Sequence, residues 1–294
     1  MIQRPLGNSG LTVSALGFGA GPVGSEALSD SDAGALLHGV LDAGITLIDT
    51  APSYGVSEER IGRHLASRRR EFVLSTKCGY GVPGVEDWTP ECITRGVDLA
   101  LQRLRTDVLD VLHFHSCPPD VLHRPGLLEA LTRAVQAGKV RAAAYSGDNA
   151  GLDAALETGV FAVVQTSVNL FDQRSLDHGV AKAVSRGVGV IAKRPLANAP
   201  WRFADDRPAS HDVGEYWDRM RRMDLKTDGL SWPELALRFT AYAPGVATCI
   251  VGTTQLENLR ANARTLDKGE LPEPLVHAIR DAFRRNDHGW DGVI

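Results

Sequence analysis

The chain has 294 residues, of which 43% are hydrophobic and 23% charged, and its formal net charge is −4. This composition is typical of a globular protein with a sizeable core, and the net negative charge argues against a general nucleic-acid binder. The sequence shows no signal-peptide pattern and no apolar run long enough to span a membrane, and its four cysteines lack CxxC spacing. We therefore expect a cytoplasmic protein with reduced thiols.

The first elements in chain order are a hairpin and a helix. Two short extended pieces flank an Asn-Ser-Gly turn signal within residues 3–19, which predicts a β-hairpin. The apolar run 15–20 ends in glycines, which let another group approach the backbone closely. Residues 30–43 then show a helical pattern that stops at Gly44.

From this point a short apolar run, a polar loop and an amphipathic helix repeat along the chain. The strand-like runs are 15–19, 46–49, 72–77, 108–115, 141–146, 163–168, 188–193 and 248–252. Helices are predicted at 57–68, 90–104, 126–137, 150–158, 173–186, 232–242, 256–264 and 271–283. Short β-branched runs suit parallel strands buried on both faces. Eight such units predict a (β/α)₈ barrel that forms one domain over residues 1–294. An open doubly wound sheet is the alternative, but GxGxxG is missing after the first strand.

Two segments do not fit the repeat. Residues 196–231 are too long for a plain connection, so we expect a lid or binding loop after the seventh strand, with a short extra helix over the barrel mouth. The last nine residues, NDHGWDGVI, are predicted to be a tail.

Polar side chains end several consecutive strands. Asp49, Lys77, His115 and Ser146 close the second to fifth predicted strands, and Tyr54 lies in the loop just after Asp49. In a barrel the carboxyl ends of all strands meet at one mouth, where active sites are built. We therefore predict that these side chains form an active site. The loop continues into SEE, where we expect the serine hydroxyl to cap the next helix.

The residue types at this mouth suit proton transfer to or from an oxygen. A tyrosine has a pKa of about 10 in water, and a neighbouring cation such as Lys77 favours the phenolate and lowers that pKa. Asp49 would hold the ammonium and balance its charge. His115 would supply a hydrogen bond or relay a proton.

A metal site is the competing interpretation of the run HFHSC. His113, His115 and Cys117 alternate, so a strand would place them on one face. His123 is the only nearby candidate for a fourth ligand, and no second cluster is evident. We therefore predict no metal, with His113 as a hydrogen-bonded core histidine lower in the barrel.

The order DTAPSYGVSEERIG, STK, DVLDVLHFH, GKVRAAAYSG and IVGTTQLENLRAN resembles the aldo-keto reductase family, from Leu6 to about Asn262. The resemblance implies a (β/α)₈ barrel that transfers hydride between a nicotinamide and a carbonyl or alcohol carbon. It places the catalytic Asp, Tyr, Lys and His on Asp49, Tyr54, Lys77 and His115. It implies the cofactor NADP(H) or NAD(H), with a small carbonyl, alcohol or sugar as substrate and no nucleic-acid or membrane partner.

The same resemblance implies a set of cofactor-binding positions. They are Gly19, Ser146, Gln165, Lys193, Arg194, Leu196, Gly252, Thr253, Thr254, Asn258 and Asn262. The chain departs from the family at Gly147, where an asparagine usually helps to hold the carboxamide, so Asp148 or Asn149 is expected to replace it. It also has Lys193 where many members stack an aromatic ring on the nicotinamide.

Substrate and cofactor preference follow from weaker signals. Tyr80, Trp88 and Trp201 are our candidates for the walls of the substrate site. Gly252, Thr254 and Asn258 occupy positions where the family uses basic residues for the 2′-phosphate, so we expect a weakened preference for NADP(H). The leading hypothesis is a carbonyl reductase or alcohol dehydrogenase with Tyr54 as general acid and base. The alternatives are a dehydrogenase that oxidises an aldose at C1, or a cofactor-binding regulatory subunit.

Overall fold

Eight parallel strands close into a barrel in the computed structural model, which describes residues 1–293. Two strands precede the barrel and form a separate sheet, β1 (Gln3–Pro5) and β2 (Thr12–Ser14). The eight barrel strands are β3 (Leu16–Gly19), β4 (Leu47–Asp49), β5 (Val73–Cys78), β6 (Leu109–His115), β7 (Val140–Ser146), β8 (Val163–Ser167), β9 (Gly189–Lys193) and β10 (Thr248–Val251). Strands β3 to β9 pair in sequence order, and β10 closes the barrel between β9 and β3. The predicted (β/α)₈ barrel is therefore confirmed.

Helices surround the barrel. They are α1 (Asp30–Asp42), α2 (Ser57–Leu65), α3 (Pro90–Leu104), α4 (Pro119–Leu122), α5 (Leu127–Gln136), α6 (Asn149–Thr158), α7 (Ala181–Ser185), α8 (His211–Met223), α9 (Trp232–Ala241), α10 (Leu256–Leu266) and α11 (Glu273–Asn286). The helix predicted over 173–186 is instead a π-helical turn, Leu176–Val180, followed by α7. The long connection after β9 contains a 3₁₀ turn, Pro200–Arg202, and α8, which packs its apolar side chains in one cluster with α9 and α11.

The predicted hairpin of β1 and β2 is confirmed, and it closes the amino end of the barrel. Leu6, Leu11 and Val13 share an apolar cluster with inward residues at the amino ends of the strands. The approach is close: a Cβ on Gly7, which has φ +56°, would lie 2.3 Å from the backbone nitrogen of Gly189. Only glycine fits there.

Alternation along the strands explains why apolar and polar side chains occupy opposite ends of the barrel interior. Residues two apart on a strand point to the same side. The cluster at the amino end contains Leu47, Val73, Val111, Ala144, Val163 and Ile191. Two or four positions further along the same strands are Asp49, Ser75, Lys77, His113, His115, Ser146, Gln165 and Lys193. The amino end of the barrel interior is therefore filled with apolar side chains, and the carboxyl mouth is polar, as expected for this fold.

The carboxyl-terminal segment is packed, and our prediction of a tail is wrong. The Trp290 ring packs edge-on against Phe283, with ring centres 5.6 Å apart. Arg219 Nη2 donates a hydrogen bond to the Asp291 carbonyl at 2.7 Å, and the Gly292 N–H donates to Asn149 Oδ1 at 2.7 Å. Arg219 and Asn149 are distant from this segment in sequence, so local composition gave no sign of their contacts.

Two further findings concern membranes and thiols. Within residues 1–293, no helix combines the length and the apolar character needed to cross a membrane. Cys78, Cys92, Cys117 and Cys249 are free thiols, and all four are buried.

Candidate active site

The carboxyl mouth brings Asp49 and Lys77 into direct contact. Asp49 ends β4, and Lys77 lies on the neighbouring strand β5. Lys77 Nζ donates to Asp49 Oδ2 and to the Thr50 carbonyl, each at 2.7 Å. Asp49 is 1% exposed and Lys77 2% exposed, so the ion pair is removed from water.

Both members of this pair remain charged. Burial alone would raise the pKa of Asp49, but the Lys77 ammonium outweighs it and keeps that pKa below its ordinary value. Burial likewise opposes the charge of Lys77, yet Asp49 raises the pKa of that amine. Asp49 Oδ1 also accepts hydrogen bonds from Ser75 Oγ at 2.7 Å and Gln165 Nε2 at 3.0 Å. The carboxylate thus has hydrogen-bond partners for both oxygens, which is what a buried ion pair requires.

Tyr54 meets the ion pair from the loop after β4. Lys77 Nζ lies 5.1 Å from the centre of the Tyr54 ring. A Cβ on Gly24 would lie 1.6 Å from the Tyr54 carbonyl oxygen, so only glycine lets the two backbones approach this closely. Ser57 does not cap α2 as predicted. Its hydroxyl donates to the Ala20 carbonyl at 2.8 Å and so ties the start of α2 to the turn after β3.

The direction of the Tyr54 pKa shift differs from our prediction. Burial raises the pKa of Tyr54 above its ordinary value, and Lys77 offsets this only in part. The expected net lowering by Lys77 is wrong, because the phenolate loses more from desolvation than it gains from the ammonium. At neutral pH Tyr54 is therefore a neutral phenol, which can donate a proton.

His115 is a neutral imidazole at the same mouth. Burial, reinforced by the charge of Lys77, lowers the pKa of His115 to about 3. Its ring lies edge-on to Tyr54, with ring centres 6.2 Å apart. Its Nδ1 is 2.6 Å from the Tyr80 hydroxyl. A neutral His115 is available for hydrogen bonds and carries no charge at physiological pH.

His113 lies deeper on the same inward face of β6. It is 0% exposed, and its Nε2 is 3.0 Å from Ser75 Oγ. Burial lowers the pKa of His113 to about 4, so this ring is also neutral. The prediction of a hydrogen-bonded core histidine is confirmed. In the described part of the chain, no three His, Cys, Asp or Glu side chains are grouped as metal ligands.

A cavity of about 1030 Å³ opens at this mouth. Its lining includes all four predicted catalytic residues together with Gly19, Ser146, Gln165, Lys193, Arg194, Leu196, Trp201, Gly252, Thr253, Asn258 and Asn262. Thr254, Tyr80 and Trp88 were predicted for the site but are not among the residues that line the cavity. Ser116, Asn198 and Arg202 line it and were not predicted. Asn198 and Arg202 follow Leu196 on the long connection, a position that could have suggested them.

Ser146 and Gln165 form a polar pair on the cavity wall. Ser146 Oγ donates to Gln165 Oε1 at 2.9 Å. Asp148 and Asn149, the residues expected to take the place of the missing asparagine, form hydrogen bonds with other groups instead. Asp148 accepts from the Ser167 N–H at 2.7 Å, and Asn149 holds Gly292 through both amide atoms. Neither side chain lines the cavity, so the prediction that one of them replaces the asparagine is wrong.

Two basic residues at the end of β9 and just after it, Lys193 and Arg194, also have partners within the chain. Lys193 Nζ forms a salt bridge of 2.7 Å with Asp148 Oδ2. Arg194 Nη1 donates to the Val293 carbonyl at 3.0 Å and lies 3.7 Å from Asp212 Oδ2. The Arg202 side chain lines the cavity without an ion-pair or hydrogen-bond partner in residues 1–293.

Comparison with known proteins identifies relatives of this architecture. A model described as "Aldo/keto reductase family" matches residues 15–283. The L-galactose dehydrogenase of Arabidopsis thaliana is 28% identical over an alignment that covers 91% of this chain and 88% of that protein. The NADH-specific methylglyoxal reductase of Escherichia coli is 26% identical and covers 97% and 100%. The holo form of aldo-keto reductase AKR11C1 from Bacillus halodurans superposes with a TM-score of 0.81, at 25% identity and 96% coverage of both chains.

Proposed function

Because the chain belongs to the aldo/keto reductase family, we propose that it transfers hydride between a nicotinamide cofactor and a carbonyl or alcohol carbon, with Tyr54 as general acid and base. The observation that carries the proposal is the single cavity that contains Tyr54, His115 and the buried Lys77–Asp49 pair. The direct test is turnover of a panel of aldehydes, ketones and aldoses with each nicotinamide. Absence of turnover together with measurable cofactor binding would favour the regulatory subunit instead.

The cavity fits a nicotinamide dinucleotide. Gly19 and Gly252 face each other across one wall, and a Cβ on Gly252 would lie 3.0 Å from the Gly19 carbonyl oxygen. Neither residue carries a side chain, so a ligand can lie against backbone at these two positions. Ser146 and Gln165 offer hydroxyl and amide groups for a carboxamide, and Arg202 offers a cation for phosphate. When bound, the reduced nicotinamide supplies the hydride.

The side chains of the chain account for the proton. During reduction Tyr54 donates its phenolic proton to the carbonyl oxygen, so hydride and proton together convert C=O to CH–OH. The Lys77 ammonium stabilises the tyrosinate that remains, and Asp49 holds the ammonium in place. His115 offers a hydrogen bond to the reacting oxygen. During oxidation the same tyrosine takes the proton back.

Oxidation of a sugar at C1 is the second candidate function. It is favoured by the similarity to the L-galactose dehydrogenase of Arabidopsis thaliana, which extends over 91% of this chain. The two candidates differ in preferred direction rather than in catalytic groups. Initial rates with aldoses and oxidised cofactor, compared with rates for aldehydes and reduced cofactor, separate them.

We predict a weak preference between NADPH and NADH. The two basic residues of α10, Arg260 and Arg264, pair with Glu257 at 3.9 Å and 2.7 Å, and Arg194 is held by the carboxyl-terminal segment. Arg202 is the remaining cation for a 2′-phosphate. We expect the two kcat/KM values to differ by less than about a hundredfold, or about 2.7 kcal/mol at 1.36 kcal/mol per decade. A larger advantage for NADPH would contradict this prediction. If Arg202→Ala then abolishes that advantage, Arg202 is the cation that binds the 2′-phosphate.

We predict that substitution of His115 impairs catalysis, whereas substitution of His113, on the same strand β6, impairs stability. His115→Ala should lower kcat about 10²-fold, because it removes a hydrogen bond to the developing charge on oxygen. His113→Ala should retain most of kcat but lose about 2–4 kcal/mol of unfolding free energy, because it leaves a cavity in a fully buried layer. Chemical denaturation and single-turnover kinetics on both variants test this. The reverse pattern would mean that His113 is the residue at the reacting oxygen.

A further inference from the structure

His115 is held by an aromatic residue that does not line the cavity. The Tyr80 hydroxyl lies 2.6 Å from His115 Nδ1, and the two rings stack with centres 5.4 Å apart and planes 24° apart. Ser53 Oγ is 3.4 Å from the same hydroxyl. His115 lines the cavity and Tyr80 does not, so Tyr80 contacts Nδ1 from outside the cavity.

The direction of the hydrogen bond between Tyr80 and His115 follows from the number of protons that the two side chains carry. With a pKa of about 3, His115 is neutral at physiological pH and carries one N–H. The Tyr80 hydroxyl has one proton, and His115 Nδ1 is much the nearer of its two partners. The Tyr80 hydroxyl is also placed to donate to Ser53 Oγ at 3.4 Å, but the 2.6 Å contact with Nδ1 is the shorter and stronger of the two. Donation from Tyr80 to Nδ1 leaves the imidazole proton on Nε2, which has no partner in residues 1–293.

We propose that Tyr80 is a positioning residue that holds His115 in the Nε2–H tautomer, so that His115 presents a hydrogen-bond donor to the reacting oxygen. This rests on the proposed function. In the opposite tautomer the Nε2 lone pair would face the lone pairs of the carbonyl oxygen. That contact becomes more repulsive as negative charge develops on the oxygen. The tautomer therefore decides whether His115 helps or opposes the reaction.

The packing behind Tyr80 fixes its ring in place. Trp88 lies edge-on to Tyr80, with centres 6.2 Å apart, and edge-on to the core residue Phe114 at 5.9 Å. Gly79, with φ +127°, leaves room for this indole, because a Cβ there would lie 2.2 Å from the Trp88 ring. Tyr80 is thereby held between His115 and Trp88. This gives both predicted wall residues a role outside the cavity.

Tyr80→Phe tests the proposal, because it keeps the stacked ring and removes only the hydroxyl. We expect the rate of hydride transfer in a single turnover to fall about five- to tenfold, the effect of one hydrogen bond. Cofactor Kd should not change. In ¹⁵N NMR of the cofactor-free protein, the His115 signals should move from the Nε2–H tautomer toward a mixture. The His115→Ala variant assigns those signals.

Tyr242→Phe is the matched control. Its hydroxyl donates to the Leu266 carbonyl at 2.7 Å, and Tyr242 does not line the cavity, so both readouts should match the wild type. Unchanged His115 signals in Tyr80→Phe would overturn the proposal, as would a wild-type rate of hydride transfer. If the wild-type protein transfers no hydride to any substrate, the proposed function fails, and the NMR measurement alone still decides whether Tyr80 sets the tautomer.

Discussion

Tyr54→Phe is expected to lower kcat for carbonyl reduction by about 10²–10⁴-fold, the usual contribution of a general acid. The substitution removes the phenolic proton and keeps the ring that packs 5.1 Å from the Lys77 ammonium. Because burial holds the pKa of Tyr54 above its ordinary value, the wild-type residue is protonated at neutral pH and available as the donor. Single-turnover hydride transfer measures the chemical step directly.

Two observations complete this test. Cofactor Kd and the unfolding midpoint of Tyr54→Phe should remain close to the wild type, because the substitution keeps the aromatic ring and Tyr54 is not one of the predicted cofactor contacts. If the variant retains more than about half of the wild-type rate with chemistry rate-limiting, then Tyr54 is not the acid. A loss that appears only in Kd would place Tyr54 in cofactor binding instead.

The fold could be predicted because its signals are local. Each barrel strand is a short, largely buried segment that contains apolar residues, and Gly138, Gly159 and Gly187 mark helix ends with positive φ. The π-helical turn over 176–180 and the helix α4 have no such signal, since the first depends on tertiary packing and the second is a single turn. The carboxyl-terminal segment was missed because its binding partners lie far away in sequence.

The convergence of the candidate catalytic residues was easier to predict than the pKa shifts of these residues. Strand register alone places Asp49, Lys77 and His115 at one mouth, because residue alternation and parallel pairing leave no other arrangement. The direction of the Tyr54 pKa shift depends on how far the folded chain removes the phenol from water, and the sequence alone does not give that burial. The role of Asp148 was equally hard to predict, because in the fold its carboxylate is already bonded to the Ser167 N–H and to Lys193.

Lys77→Met is expected to cost about 3–5 kcal/mol of unfolding free energy, because it leaves the Asp49 carboxylate buried without its cation. The matched control is Lys139→Met. Lys139 pairs with Asp98 at 2.6 Å, but both side chains are about half exposed, so its loss should be within about 1 kcal/mol. Chemical denaturation at neutral pH compares the two. Equal losses of unfolding free energy in the two variants would show that the buried pair stabilises the fold no more than the exposed pair does.

The same variant should change the pH dependence of stability and of catalysis. The folded-state pKa of Asp49 is depressed, so the wild-type pair contributes stability above the unfolded value of about 3.9 and loses it as pH falls through the folded value. Lys77→Met lacks that loss. In catalysis, Lys77 acts to lower the pKa of Tyr54 against burial, so its removal raises that pKa further. The rise in alcohol oxidation with pH, which requires the tyrosinate, should therefore move to higher pH. A pH–rate profile that coincides with the wild type would show that Lys77 supports the fold without tuning Tyr54.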